Sequence, residues 1–256
     1  MVKLGRQTEE GKIMQEVKRV LQNGEHFNFV CKMCGNCCNE MLIKLTPYDI
    51  IRLSAGLNLP THEFIPQYVL FLKLQDTGWF LPVLKHVKKG ECLFKRGKKC
   101  RIHPYRPLPC RLFPVGRSEE NFVLQMSLYC KGLLTGCRWN LNSWLEASEA
   151  ITYLEMSKLY YDFMEEILQS YELKTISDKQ YKLFFKIVYD FDGARLDLTC
   201  SGINDKTKVK YCLAMGKWFL ERFSEPHLLE ELSEEQFLDA YEKQGRMVLK
   251  QLIEQQ

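Results

Sequence analysis

The chain has 256 residues, 46% hydrophobic and 27% charged, enough apolar content to bury a core in one large domain or two small ones. No run of about 18 apolar residues occurs, which excludes a membrane-spanning helix. The net charge of +4 hides an asymmetry: Lys85 to Arg117 holds eleven Lys/Arg and one acid, Glu91, whereas Glu221 to Gln256 holds nine acids and four bases.

In chain order, residues 7–22 carry Ile13, Met14, Val17, Val20 and Leu21 at helical spacing, and Asn23-Gly24 stops that helix. A loop with clustered cysteines follows, then a short strand over Met41 to Leu45. Thr46-Pro47-Tyr48-Asp49 starts a helix: Thr46 as N-cap, Pro47 at the first helical position, an acid at the third. Gly56 ends it, and a second helix is predicted from Thr61 to about Leu72. Trp79 to Leu84 reads as a strand. Pro104, Pro107, Pro109 and Pro114 then forbid a long helix, and Asn121 to Leu128 reads as another strand. From Asn142 the pattern is helical. Ser143-Trp144-Leu145-Glu146 has the capping-box form and opens a helix expected to reach Gln169. Ser177 to Gln180 and Ser233 to Gln236 repeat that signal, and a further helix spans Lys208 to Phe223.

The expected fold is α+β and mostly helical. A cysteine-cluster metal-binding region over residues 1–140, irregular with short strands, packs on a helical region over residues 141–256 as one unit.

Four of the eleven cysteines lie in Cys31-Lys32-Met33-Cys34-Gly35-Asn36-Cys37-Cys38. Thiols two residues apart can turn toward one centre, and Gly35 frees the backbone for the turn. If the Cys37-Cys38 step is extended, the two sulfurs face opposite sides and reach different centres. With Cys92, Cys100, Cys110 and Cys130 the expected metal ligands number eight, twice the four thiolates of a tetrahedral zinc or a four-iron cluster. Two centres fit that arithmetic; one centre with spare thiols stays open.

The second group lacks the paired knuckle usual in structural zinc, whereas C-x2-C-x2-C opens a ferredoxin-type motif whose fourth Cys lies elsewhere. Both an iron–sulfur cluster, of the 4Fe-4S kind, and zinc stay in view. Arg106 and Arg111 flank Cys110 and are read as cofactor-binding partners of the sulfurs. His103, Cys137 and Cys200 are weaker ligand candidates, and Cys212, on a helical face with Val209 and Leu213, is read as core. Asp190, Asp192, Arg195 and Asp197 form a polar group, for which helix-end solvation is weighed against a catalytic carboxylate. The N-terminus shows no secretory signal, so this many thiols point to a reducing compartment, with the cytoplasm expected.

From Cys31 to Cys38, through Cys92-Leu93-Phe94, to Cys100-Arg101-Ile102-His103-Pro104-Tyr105-Arg106-Pro107-Leu108-Pro109-Cys110-Arg111-Leu112-Phe113-Pro114, the chain resembles the CxxCxxCC cysteine-cluster family. Thr46-Pro47-x-Asp49-Ile50-x-Arg52-Leu53 also looks like that family, while His103 stands where it more often has Tyr. The resemblance covers about residues 27–135 and implies a zinc- or iron-chelating domain with eight shared cysteines. A flagellin lysine N-methylase, thought to carry an iron–sulfur cluster, is similar in its cysteine motifs, which implies a methylase-like, protein-modifying alternative. Three readings follow: a metal protein of redox or sensing function, that modifying enzyme, and a zinc-stabilised module whose basic face binds nucleic acid or an acidic protein partner. No G-x-G-x-x-G or phosphate loop is present, so a standard dinucleotide site is not expected.

Overall fold

The computed structural model describes residues 17–22, 24–38, 42–87, 91–97, 99–118, 121–126, 130–193 and 203–255. Its elements are β1 (Val17–Val20), β2 (His26–Phe29), α1 (Pro47–Gly56), α2 (Thr61–Tyr68), β3 (Val69–Lys73), β4 (Phe80–Leu84), β5 (Lys95–Arg96) and β6 (Lys99–Cys100). There follow α3 (Leu108–Leu112), β7 (Val115–Ser118), β8 (Asn121–Met126), β9 (Cys137–Asn140), α4 (Leu141–Ala147), α5 (Ile151–Ser170) and α6 (Asp178–Tyr189). The chain closes on α7 (Asp205–Phe223), α8 (Pro226–Glu230) and α9 (Glu234–Glu254). The fold is mostly helical α+β, with small antiparallel sheets: β1-β8-β7, β2-β9, β3-β4 and β5-β6.

Where local chemistry sets an element's start, the structure follows the sequence. Thr46 accepts the Asp49 N–H and Asp49 accepts the Thr46 N–H, which caps α1 reciprocally. Ser177 with Gln180 and Ser233 with Gln236 do the same for α6 and α9.

Four expectations need correction, each because a partner distant in sequence or an unread cap decides the outcome. The helix expected over residues 7–22 is a strand at Val17–Val20, in antiparallel register from Val17↔Met126 to Val20↔Val123; residues 7–16 lie outside the described residues. The helix from Thr61 stops at Tyr68, because Val69 to Lys73 pairs with β4 from Val69↔Leu84 to Lys73↔Phe80. The strand over Met41 to Leu45 is reduced, among described residues, to a bridge of Lys44 with Val83 flanked by Leu45 N–H to Pro82 and Leu84 N–H to Ile43. Finally, Asn140 rather than Ser143 is the N-cap of α4, with Ser143 its reciprocal partner. The single helix expected to Gln169 breaks between α4 and α5, where Glu149 takes φ +56°.

A main hydrophobic cluster joins Ile43, Leu53, Trp79, Phe94 and Leu112 of the front to Tyr160, Phe184, Phe219 and Leu249 of the helices, so both halves share one interior. Trp79 is fully buried, and its Nε1–H donates to Tyr160 Oη at 2.9 Å and Tyr189 Oη at 3.2 Å. A smaller cluster of Leu21, Phe27, Phe29, Phe113, Val115, Leu124 and Trp144 fills the sheets β1-β8-β7 and β2-β9. Burying each such large apolar side chain contributes about 1.5–3 kcal/mol, so both clusters hold their segments firmly. The cysteines lie between the two.

Candidate metal centre

All eight cysteines expected as ligands line one cavity of about 130 Å³. Cys31 and Cys34 sit on the loop after β2, and Cys37-Cys38 in a 3₁₀ turn over Asn36–Cys38. Gly35 takes φ +73°, and a Cβ there would stand 2.7 Å from the Lys95 side chain, so this glycine admits both the turn and a lysine against the cysteine loop. Cys92 donates its N–H to the Cys38 carbonyl at 2.9 Å. Cys100 ends β6, whose hairpin with β5 sets it opposite Lys95. Cys110 is carried by the short helix α3, and Cys130 opens a turn running beside the end of β2.

The doublet is not extended, which corrects the premise drawn from the sequence. The contact between the two thiols, with Lys95 beside it, brings Cys38 down to about 7, and the same contact with burial pushes Cys37 up. Burial raises Cys92, raises Cys100 to about 11, and raises Cys110 well above the ordinary thiol range, with the neighbouring thiols adding to the effect. Thiols this hard to ionise alone give up their protons to a metal, whose charge offsets the desolvation.

Lys32, Lys95, Lys99, Arg106 and Arg111 line the same wall, and among the described residues no Asp or Glu does. The two arginines flanking Cys110 act differently. Arg106 is half-buried and donates to the His103 carbonyl at 2.9 Å and its Nδ1 at 3.2 Å, turning that ring nitrogen toward a guanidinium rather than a metal. Arg111 is 2% exposed and ties α3 to the break between α4 and α5. Its Nη1 donates to the Ser148 carbonyl (3.1 Å) and Glu149 Oε2 (3.0 Å), its Nη2 to the Pro104 carbonyl (2.6 Å) and Tyr153 Oη (3.2 Å). Its Nε is buried and, among the described residues, has no hydrogen-bond partner.

Asp49 had been legible only as a helix cap. Its second oxygen accepts the Leu108 N–H at 2.8 Å, fixing the start of α3 two residues before Cys110. Nothing local in the sequence signals that bond across 59 positions. Lys32, Lys95 and Lys99 belong to the cavity as well; the run of basic residues around the cysteines was their signal.

Of the weaker candidates, His103 lines the cavity, whereas Cys137 is exposed on β9 opposite Phe29 and does not. Cys212 is buried in α7, as expected of core, and Cys200 lies outside the described residues. The carboxylate group is structural where described: Asp190 accepts Thr61 Oγ1–H at 2.7 Å and Gly193 N–H at 2.9 Å, and Asp192 accepts Thr61 N–H at 2.7 Å. Arg195 and Asp197 lie outside the described residues.

Residues 30–131 match the CxxCxxCC family, described as "Putative zinc- or iron-chelating domain". An uncharacterized protein of Methanocaldococcus jannaschii is 33% identical over a 137-residue alignment that covers 49% of this chain and 70% of that relative. The chain belongs to the CxxCxxCC family. No solved structure matches it.

The residues of this CxxCxxCC protein fit the metal chemistry its family name states. Eight thiols supply the donors, the wall is cationic, and Arg111, whose Nε–H is buried, belongs to that wall, where an anionic centre would offer an acceptor. Among the described residues no group of three or more His, Cys, Asp or Glu side chains is close enough to hold a metal ion.

Proposed function

We propose that this CxxCxxCC protein is an iron–sulfur protein with two four-thiolate centres serving redox chemistry or redox sensing. The observation that carries the reading is that eight thiols line one cationic cavity. The C-x2-C-x2-C opening with its fourth cysteine elsewhere supports the same choice. Such a centre exchanges single electrons. The chain's contribution is to space the thiols, offset their charge with Lys32, Lys95, Lys99 and Arg106, and shield the cavity with Phe29, Phe113 and Trp144.

Exposed Lys32, Lys99, Arg101 and Lys131 beside the cysteines suit an acidic protein partner that approaches under electrostatic steering. The thiols suit a reducing compartment such as the cytoplasm; no helix among the described residues is long and apolar enough to cross a membrane.

Anaerobic purification followed by iron, sulfide and zinc analysis tests the reading. The expected result is a brown protein with about eight iron and eight sulfide per chain and visible absorption that dithionite bleaches. Zinc at two per chain, with no visible absorption, would overturn iron and leave a zinc-stapled module.

A further inference from the structure

We infer that the eight thiols divide into two fixed quartets, Cys31, Cys34, Cys37 and Cys130 for one centre and Cys38, Cys92, Cys100 and Cys110 for the other, so that the doublet is the seam between them. The inference rests on the two-centre reading above and assigns what that reading leaves open.

Packing supplies the first argument. Cys92, Cys100 and Cys110 pack against the main hydrophobic cluster, whereas Cys37 and Cys130 pack against the smaller one. Five of the eight thiols are thus sorted by the core they touch, three on one and two on the other.

Backbone connections supply the second. The Cys92 N–H donates to the Cys38 carbonyl at 2.9 Å, the Lys95 N–H to the Cys92 carbonyl at 3.0 Å, and Lys95 stands opposite Cys100 in the β5-β6 hairpin. Those bonds thread Cys38, Cys92 and Cys100 together. Asp49 anchors the start of α3, and with it Cys110, to α1 on the main core.

On the other side, Phe29 bridges Leu133, and the Val30 N–H donates to the Gly132 carbonyl at 3.2 Å. The chain entering Cys31 therefore runs along the chain leaving Cys130. A Cβ at Gly132 would stand 2.1 Å from the Val30 carbonyl oxygen, so only glycine permits that approach. Cys34 and Cys37 continue from Cys31 at the two-residue spacing of a cluster loop, with Cys130 as the remote fourth ligand.

The seam is local. Cys37 and Cys38 are successive residues of the Asn36–Cys38 3₁₀ turn, so two centres that they ligate would be neighbours.

The test uses the full chain purified anaerobically, with iron, sulfide and zinc measured for alanine variants. Each single variant among Cys34→Ala, Cys130→Ala, Cys92→Ala and Cys100→Ala should hold half the wild-type metal. Cys34→Ala with Cys130→Ala should still hold half, as should Cys92→Ala with Cys100→Ala, whereas Cys34→Ala with Cys100→Ala should hold none. A cross pair that keeps half, or a same-quartet pair that loses all, overturns the division. Wild-type chain holding metal for one centre or none overturns the two-centre reading itself, which separates the two failures. Should the variants fail to fold, wild type is partly chelated, alkylated and mapped by mass spectrometry. Label confined first to one quartet supports the division, and label spread evenly over both overturns it.

Discussion

Replacing Arg111 by alanine probes how the cysteine region is fastened to the helices. The guanidinium is 2% exposed, and its loss strips hydrogen bonds from the Ser148 carbonyl and the Tyr153 hydroxyl, both on buried residues. Each buried group left unpaired costs about 1–3 kcal/mol. Stacking of the guanidinium over the Tyr153 ring, at 4.3 Å, adds about 1 kcal/mol. The Pro104 carbonyl is on an exposed residue and regains water, and relief of the guanidinium's own desolvation offsets part of the loss. The net expectation is a loss of about 2–4 kcal/mol, a large share of the roughly 5–15 kcal/mol typical of a domain. The ion pair contributes little, because the Glu149 side chain is 77% exposed, so Glu149→Ala should cost no more than about 1 kcal/mol. Arg111→Lys should recover less than half, since an ammonium cannot span acceptors that the fork reaches with two nitrogens. Urea unfolding followed by tryptophan fluorescence reads the effect, with Trp144 a near reporter because its Nε1–H donates to the Leu112 carbonyl at 2.8 Å. Glu149→Ala as costly as Arg111→Ala, or Arg111→Ala within about 0.5 kcal/mol of wild type, would refute the reasoning.

Asp49→Asn should destabilise by about 1–3 kcal/mol, since both carboxylate oxygens accept buried N–H groups and an amide offers one acceptor. Burial raises the Asp49 carboxyl despite the bonds from Leu108 and Thr46. The folded state thus takes up its proton at higher pH than the unfolded one, at about 3.9. Its contribution is fullest below that value and falls as pH climbs through the raised folded value, so the gap between wild type and Asp49→Asn should narrow upward through that window. A gap that widens there refutes the assignment. Metal removal should open residues 27–135 to trypsin before the helices, because short proline-rich segments depend on thiolate–metal bonds; equal resistance with and without metal counts against this. Cys212→Ala should leave metal content unchanged, and any fall in bound metal would contradict its place in the core of α7.

The elements legible in the sequence were those whose cause lies within a few residues. Thr46 with Asp49, Ser177 with Gln180 and Ser233 with Gln236 are reciprocal caps, complete once the chain turns. The cysteine spacing belongs to the same class, since C-x2-C-x2-C-C declares metal chemistry whatever the rest of the chain does. Pairing across distance was not legible. Val17 to Val20 fits a helical stripe until Met126 to Val123 arrives to pair with it, and Val69 leaves α2 because Leu84 waits opposite. Arg111 reads as a sulfur partner from its place beside Cys110, yet its Nη groups go to Ser148, Glu149, Pro104 and Tyr153, and Asp49 reaches Leu108. Side-chain hydrogen bonds are short and directional, so which acceptor an arginine or a carboxylate meets is settled only when the fold brings distant segments within about 3 Å. The sequence by itself determined that thiols gather and that a metal is their use; the tertiary structure decided that Cys92, Cys100 and Cys110 pack on the main core and Cys37 and Cys130 on the smaller one.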